Sequence, residues 1–360
     1  MNSFWKINNI IVFGFGFFSA LYFGYSFFIP LTFGIILSML LLPVCQKLEK
    51  WGIHRMIAII ISIFILILTG TALITVMASQ VANFKNDLPS FKSSLLAKEK
   101  QTQEYISEKL DISIEQQKSF FKNSSIIQEG EKTVSGFLGS FLGFLTDVIL
   151  ILVYIIFFLL KREKYEEFII RISKNNNPEK ISSTLHKISK VSTQYLIGRL
   201  ISILILSALY IIGLSALGLK HAVLTGSIAA FLTIVPYVGT FIGGLIPASA
   251  AVLSGTTNPL SVLAVVFFIQ LIDDYFIEPY IIGGQINISP LAVIMAIVTG
   301  GILWGIAGMI LFIPLFGMAK IIFDQVPYLQ PLGDLIGPKK NKENRWKKRI
   351  GKFLDNLFKR

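Results

Sequence analysis

Residues 9–44 contain no charged side chain. A membrane crossing takes about 20 residues of helix, so this run is long enough for two. No other feature constrains the chain as much. Lipid offers no partners for backbone N–H and C=O groups, so a continuous apolar segment of this length must bond internally as helix. The two helices are expected to join near Tyr25–Ser26, with Pro30 opening the second. Further runs follow at 56–79, 136–160, 195–218, 259–278 and 290–322, with shorter pieces at 221–236 and 238–254. The pattern predicts an all-α polytopic membrane protein with about eight transmembrane helices. Broken or re-entrant segments are expected in the C-terminal half, together with a polar extracytoplasmic insert. The 33-residue run 290–322 carries Gly300, Gly301, Gly305, Gly308 and Pro314, so it reads equally as one bent helix or two half-helices.

Composition agrees. Of 360 residues, 53% are hydrophobic and 15% charged, against about 25% charged in soluble domains. Mean hydropathy is +0.68. The single cysteine, Cys45, rules out an internal disulfide and a cysteine-based metal site. The net charge of +12 sits in loops and a tail beside apolar runs, which points to lipid headgroups rather than nucleic acid.

Five segments emerge. Residues 1–80 hold three spans, and 81–135 form a polar insert with eight Lys balanced by eight Asp or Glu. Residues 136–192 hold a fourth span, with Asp147 near its start, and an amphipathic stretch with eight Lys or Arg against four Glu. Residues 193–325 form the C-terminal core. Arg199 lies in the first turns of its span, close enough to the interface to snorkel. Residues 326–360 end in a tail with ten Lys or Arg. In that tail Trp346, Ile350, Phe353, Leu354, Leu357 and Phe358 recur at helical spacing, as on an amphipathic helix lying on an anionic leaflet. Basic loops stay on the cytoplasmic side. That rule places both termini and 161–192 in the cytoplasm, with 81–135 outside.

The stretch FIQLIDDYFIEPYIIGGQINISP (268–290) sets three acids inside an apolar setting, then breaks the helix. Ionisable groups at membrane depth are costly and mark solute or ion pathways. Broken helices expose backbone groups that can hold a solute. Asp274 and Glu278 are four residues apart and would share a helix face. Two carboxylates so close in an apolar setting cannot both ionise cheaply, which suits exchange of H+ for Na+. Asp273 points elsewhere on a regular helix. Pro279, Gly283, Gly284, Gln285, Asn287 and Pro290 form the break after them, and Pro236, Gly239, Gly243 and Gly244 form a second break. Carboxylates merely capping a helix end at the membrane surface are the competing reading. For GTFIG (239–243) and GILWG (301–305), close helix packing competes with cavity lining.

IVPYVGTFIGGLIP (234–247), IEPYIIGGQINISPLAV (277–293) and GILWGIAGMILFIPL (301–315) resemble the AI-2E, or PerM, family of bacterial permeases, in the family's order. The resemblance covers most of the chain, excluding the insert and tail. It implies a multi-spanning inner-membrane transporter, with autoinducer-2 export and sodium/proton exchange as activities linked to the family, and homo-oligomers. It places Asp274 first among the acids. Gln285 stands where many members carry Lys or Arg, which implies a different solute preference.

The expected function is a secondary transporter exporting a small polar solute, an autoinducer-2-like molecule by resemblance, with H+ or Na+ as the candidate coupling ion. No phosphate-binding G-x-x-x-x-G-K-[ST] loop occurs. An Na+(Li+)/H+ antiporter and a membrane scaffold or envelope-assembly factor are the alternatives. Neither H-E-x-x-H nor G-x-S-x-G occurs, and His54, His186 and His221 are scattered, so no enzyme and no cofactor is expected.

Overall fold

The computed structural model describes residues 3–71, 75, 147–173, 177–254, 257–281 and 287–338. The insert 81–135, the basic tail from 339 on, and Gly283, Gly284 and Gln285 lie outside the described residues. Every regular element among the described residues is helical.

The N-terminal run divides at Gly24 into α1 (Ser3–Phe23) and α2 (Tyr25–Lys50). Gly52, at φ +83°, turns the chain into α3 (Arg55–Thr71), and α4 (Asp147–Leu160) follows the insert. Leu41, Cys45, Ile59, Ile63, Ile155 and Leu159 form the apolar core that joins α2, α3 and α4. A Cβ on Gly34 would lie 2.5 Å from Tyr154 Cβ, so a glycine there lets α2 and α4 approach closely. Polar groups fasten the same ends. Arg55 donates to the Leu159 carbonyl at 2.8 Å and pairs with Glu163 at 2.8 Å, while Arg162 pairs with Glu49 at 2.5 Å. Glu163 and Arg162 open α5 (Arg162–Ile172).

The molecule is built around α6 (Pro178–Ala216), a helix of 39 residues. At 1.5 Å per residue it is about 58 Å long, roughly twice a bilayer's hydrocarbon core. The second part of the amphipathic stretch, from Pro178 on, and the fifth span, expected as separate pieces either side of 192, are therefore one helix, while the first part is α5. Its start is specified locally. Asn177 accepts a hydrogen bond from Glu179 N, and Pro178 occupies the first helical position, where its missing N–H costs nothing. The same device, Asn or Ser then Pro, starts α9 (Pro259–Ile272) and α11 (Pro290–Gln325).

Two helical hairpins pack on α6. The first joins α7 (Ala222–Leu232) to α8 (Val238–Ser254). Its tip is a tight γ-turn, with Tyr237 at φ +62° and Val238 N–H donating to the Pro236 carbonyl at 2.7 Å, a rare and strained conformation. The arms touch at glycine: a Cβ on Gly239 would lie 1.6 Å from the Leu232 carbonyl oxygen, and one on Gly243 2.7 Å from that of Ala229. With 11 and 17 residues, the arms reach about 16 and 25 Å, less than a full crossing. Leu206, Tyr210 and Leu214 of α6 bury against Ala229, Ala230 and Ala251 of this hairpin and Val262 and Val266 of α9.

The second hairpin lies inside α11, so the run 290–322 is two arms. Helical geometry fails at Trp304 and at Gly305, where φ is +60° and ψ −138°. In a straight helix Gly300 and Gly308 would be about 12 Å apart along the axis. Here a Cβ on Gly300 would meet the Gly308 carbonyl oxygen at 2.3 Å. The rings of Trp304 and Phe312 meet edge to face at 5.2 Å. Gly305 is thus the turn itself and not a packing position. Trp304 Nε1 donates to the Leu21 carbonyl at 2.9 Å, fixing the hairpin tip to the α1–α2 corner. At the foot, α12 (Gln330–Ile336) folds back, and Ser289 N donates to the Ile336 carbonyl at 2.8 Å.

The outer surface is apolar. Ile302 and Ile306 are each 70% exposed, and Phe13, Phe15, Phe64, Phe267 and Phe268 are exposed around the periphery. Soluble monomers rarely show such patches. Among the described residues, α2, α6 and the segment Pro259–Ile281 are long and apolar enough to cross a membrane, α11 has that length only across its turn, and five further apolar helices are shorter. This is a multi-pass α-helical membrane protein.

Candidate functional site

Where the hairpins and α9 meet α6, a cavity of about 700 Å³ opens. Its polar wall comes from α6. Tyr195, Arg199 and Ser202 are spaced four and three apart, which sets them on one helix face, and all three are buried. Arg199 is 5% exposed. The expectation that it snorkels to an interface is corrected by that burial, since a snorkelling side chain reaches water. The helix begins at Pro178, so Arg199 lies about six turns in and faces the interior.

The opposite wall carries the acids. After Ile272 the chain enters a π-helical turn, Asp273–Ile277, closed by Glu278 N donating to the Asp273 carbonyl. An i→i+5 turn holds one extra residue, and such turns cluster at functional sites. It brings residues five apart onto one side, so Asp273 joins Glu278. Asp273 is 3% exposed and accepts a hydrogen bond from Ser202 Oγ at 3.4 Å. Asp274 is exposed at the rim, where Gln270 Nε2 donates to it at 2.9 Å. A regular helix would have turned Asp273 away and paired Asp274 with Glu278. The π-turn reverses that order of burial, while all three carboxylates line the cavity.

Pro236 and Tyr237 at the first hairpin's tip, Thr240 and Phe241 beyond it, Pro279, Ile288 and Pro290 at the second hairpin's foot, and Val293 and Ile313 on its arms complete the lining. Of the residues singled out from sequence, Asp273, Asp274, Glu278, Pro279, Pro290 and Pro236 are brought together. Gly239 and Gly243 pack α8 on α7, and a Cβ on Gly244 would meet Val266 Cγ1 at 3.1 Å. These three glycines shape the hairpin and are absent from the cavity lining among the described residues. Asn287 is exposed beside the foot, outside that lining.

The charge arrangement is uneven. Three carboxylates face one guanidinium in an apolar surround. Arg199 forms no ion pair among the described residues. The Nε of Arg199, the Tyr195 hydroxyl and Gln270 Oε1 are buried without hydrogen-bond partners. Buried polar atoms are costly to leave unpaired, so a wall that displays them is suited to receive a polar guest. No group of three or more His, Cys, Asp or Glu among the described residues is arranged to hold a metal ion. Tyr195, Arg199 and Gln270 were legible as polar residues in apolar runs, but nothing in their spacing linked α6 to α9.

The AI-2E family transporter model matches residues 10–328. YueF of Bacillus subtilis (strain 168) is 25% identical over 309 residues, covering 80% of this chain and 81% of its own. YrrI of the same organism is 26% identical over 301 residues, covering 80% and 83%. TqsA of Escherichia coli (strain K12), an AI-2 transport protein by name, is 23% identical over 308 residues, covering 84% and 87%. The match runs through both hairpins, the π-turn and the whole of α6, and the chain belongs to the AI-2E transporter family.

Proposed function

We propose that the cavity between the hairpins is the solute site of a secondary transporter that exports a small polar solute. The observation that supports this most is the meeting of Arg199, Asp273, Asp274 and Glu278 in one cavity of about 700 Å³ inside an apolar molecule. That volume is in the range of small-molecule sites, and charges at membrane depth mark solute pathways. The arms of the first hairpin are shorter than a bilayer crossing. Irregular backbone at their tips is tolerated in a membrane where it is buried in protein or lines a cavity. In this reading both termini are cytoplasmic, the protein works as a homo-oligomer in the inner membrane, and residues 193–325 form the transport core.

Flux from proteoliposomes loaded with candidate polar solutes, autoinducer-2 among them because TqsA is named for it, tests the reading under imposed pH and Na+ gradients. Losing one charge-assisted contact to the solute costs about 1.5–3 kcal/mol, so Asp273→Asn and Arg199→Gln should each lower flux by at least about tenfold. Parental flux in both variants would overturn the assignment. The carboxylate cluster also supports a second reading, Na+(Li+)/H+ antiport. In that case Na+ or Li+ alone, with no organic solute, would move protons, and Glu278→Gln or Asp274→Asn would stop it.

A further inference from the structure

The cavity gathers charges of both signs without an ion pair between them among the described residues. On one side, α6 presents the Tyr195 hydroxyl and the Arg199 guanidinium. Both residues are more than nine-tenths buried, and each has a polar atom without a partner. On the other side the π-turn presents Asp273, Asp274 and Glu278. Asp273 and Asp274 each accept one hydrogen bond, from Ser202 and Gln270, and none of the three forms an ion pair with Arg199 among the described residues.

Each class of guest can be weighed against this lining. A simple anion satisfies Arg199 but faces three carboxylates. A simple cation satisfies the carboxylates but leaves a buried guanidinium uncompensated, a costly state. A neutral polyol hydrogen-bonds to both walls and neutralises neither. A guest carrying both signs matches both walls, and like-charge juxtaposition excludes the rest. Arg offers a planar fork suited to a carboxylate, and Tyr195 adds a hydroxyl donor beside it.

Resting on the reading of this cavity as the solute site, we propose that its solute is an amino-acid-like zwitterion. Its carboxylate, or an equally compact anionic group, lies on Tyr195 and Arg199, and its ammonium group lies among Asp273, Asp274 and Glu278. Arg199 is then the residue that distinguishes a zwitterion from a plain amine.

Equilibrium dialysis on the purified full chain in lipid nanodiscs tests this with three labelled probes. L-lysine carries a carboxylate with ammonium groups at two spacings, cadaverine is the same skeleton without the carboxylate, and ribitol is a neutral polyol. L-lysine should bind saturably and at least about tenfold more tightly than cadaverine. Arg199→Gln should reduce lysine binding to the cadaverine level without weakening cadaverine, and Arg199→Lys should fall between. If cadaverine or ribitol binds the parent as tightly as lysine, and Glu278→Gln weakens that binding, the zwitterion assignment is wrong while the cavity remains the solute site. If none of the probes binds the parent, both assignments fall.

Discussion

At the scale of single residues, glycine contacts and the π-turn decide what the cavity looks like. Gly239→Ala would place a Cβ 1.6 Å from a carbonyl oxygen that cannot swing aside. It should cost at least about 1–3 kcal/mol, read as a lower unfolding temperature in detergent. Gly70→Ala, with nothing within 4 Å, should leave that temperature unchanged or raise it. Glu163, outside the spans, gives a pH dependence. Burial pushes its carboxyl up, but Arg55 and Arg162 outweigh that and hold it below its ordinary value of 4.5. The ionised form therefore favours the fold. Its contribution is complete above the ordinary value and disappears as pH falls through the lowered one. Glu163 is 57% exposed, so solvent screening limits the effect to about 1 kcal/mol at most. Unfolding temperatures from about pH 6 to about pH 3 should fall less steeply in Glu163→Gln than in the parent. Among site residues, the three acids were legible because charge in an apolar run is conspicuous. Which of them is buried was not, since regular helical periodicity aligns Asp274 with Glu278 and a π-turn aligns Asp273 with it.

At the scale of elements, the hairpins carry the architecture. Breaks at 236–239 and within 290–322 could be read from Pro and Gly. Whether the second bent or doubled back could not, because that depends on Gly300 meeting Gly308 across the turn. The start of α6 was readable in principle from Asn177–Pro178. A polar amphipathic stretch followed by an apolar run nonetheless suggests two elements, since composition changes where the helix leaves the membrane and its backbone does not. Trp304 is the pin of the second hairpin. Trp304→Phe keeps the ring packing on Phe312 and removes the hydrogen bond to Leu21. It should cost about 0.5–1.5 kcal/mol. Limited chymotrypsin digestion should then show faster cleavage at Tyr22, Phe23 or Tyr25 in the α1–α2 corner than in the parent, and parental cleavage rates and stability would contradict a pinning role for the indole.

At the scale of the whole molecule, α6 joins an N-terminal bundle of α2, α3 and α4 to the two hairpins, and the polar interior is enclosed by an apolar exterior. The fold class and the family were legible because span-length apolar runs and three Pro/Gly-rich signatures are local features of the chain. The cavity was not, because its walls come from residues about 75 positions apart, brought together by packing alone. The central claim is that this cavity holds water and solute within a lipid-facing shell. Single cysteines placed in a Cys45→Ser background test it most directly. Thr240→Cys, in the cavity wall, should react in proteoliposomes with a water-soluble maleimide, and bound solute should slow that reaction. Phe267→Cys, on the outer face at 65% exposure, should not react. If Thr240→Cys is as inert as Phe267→Cys from both sides of the membrane, the cavity is not a solute path.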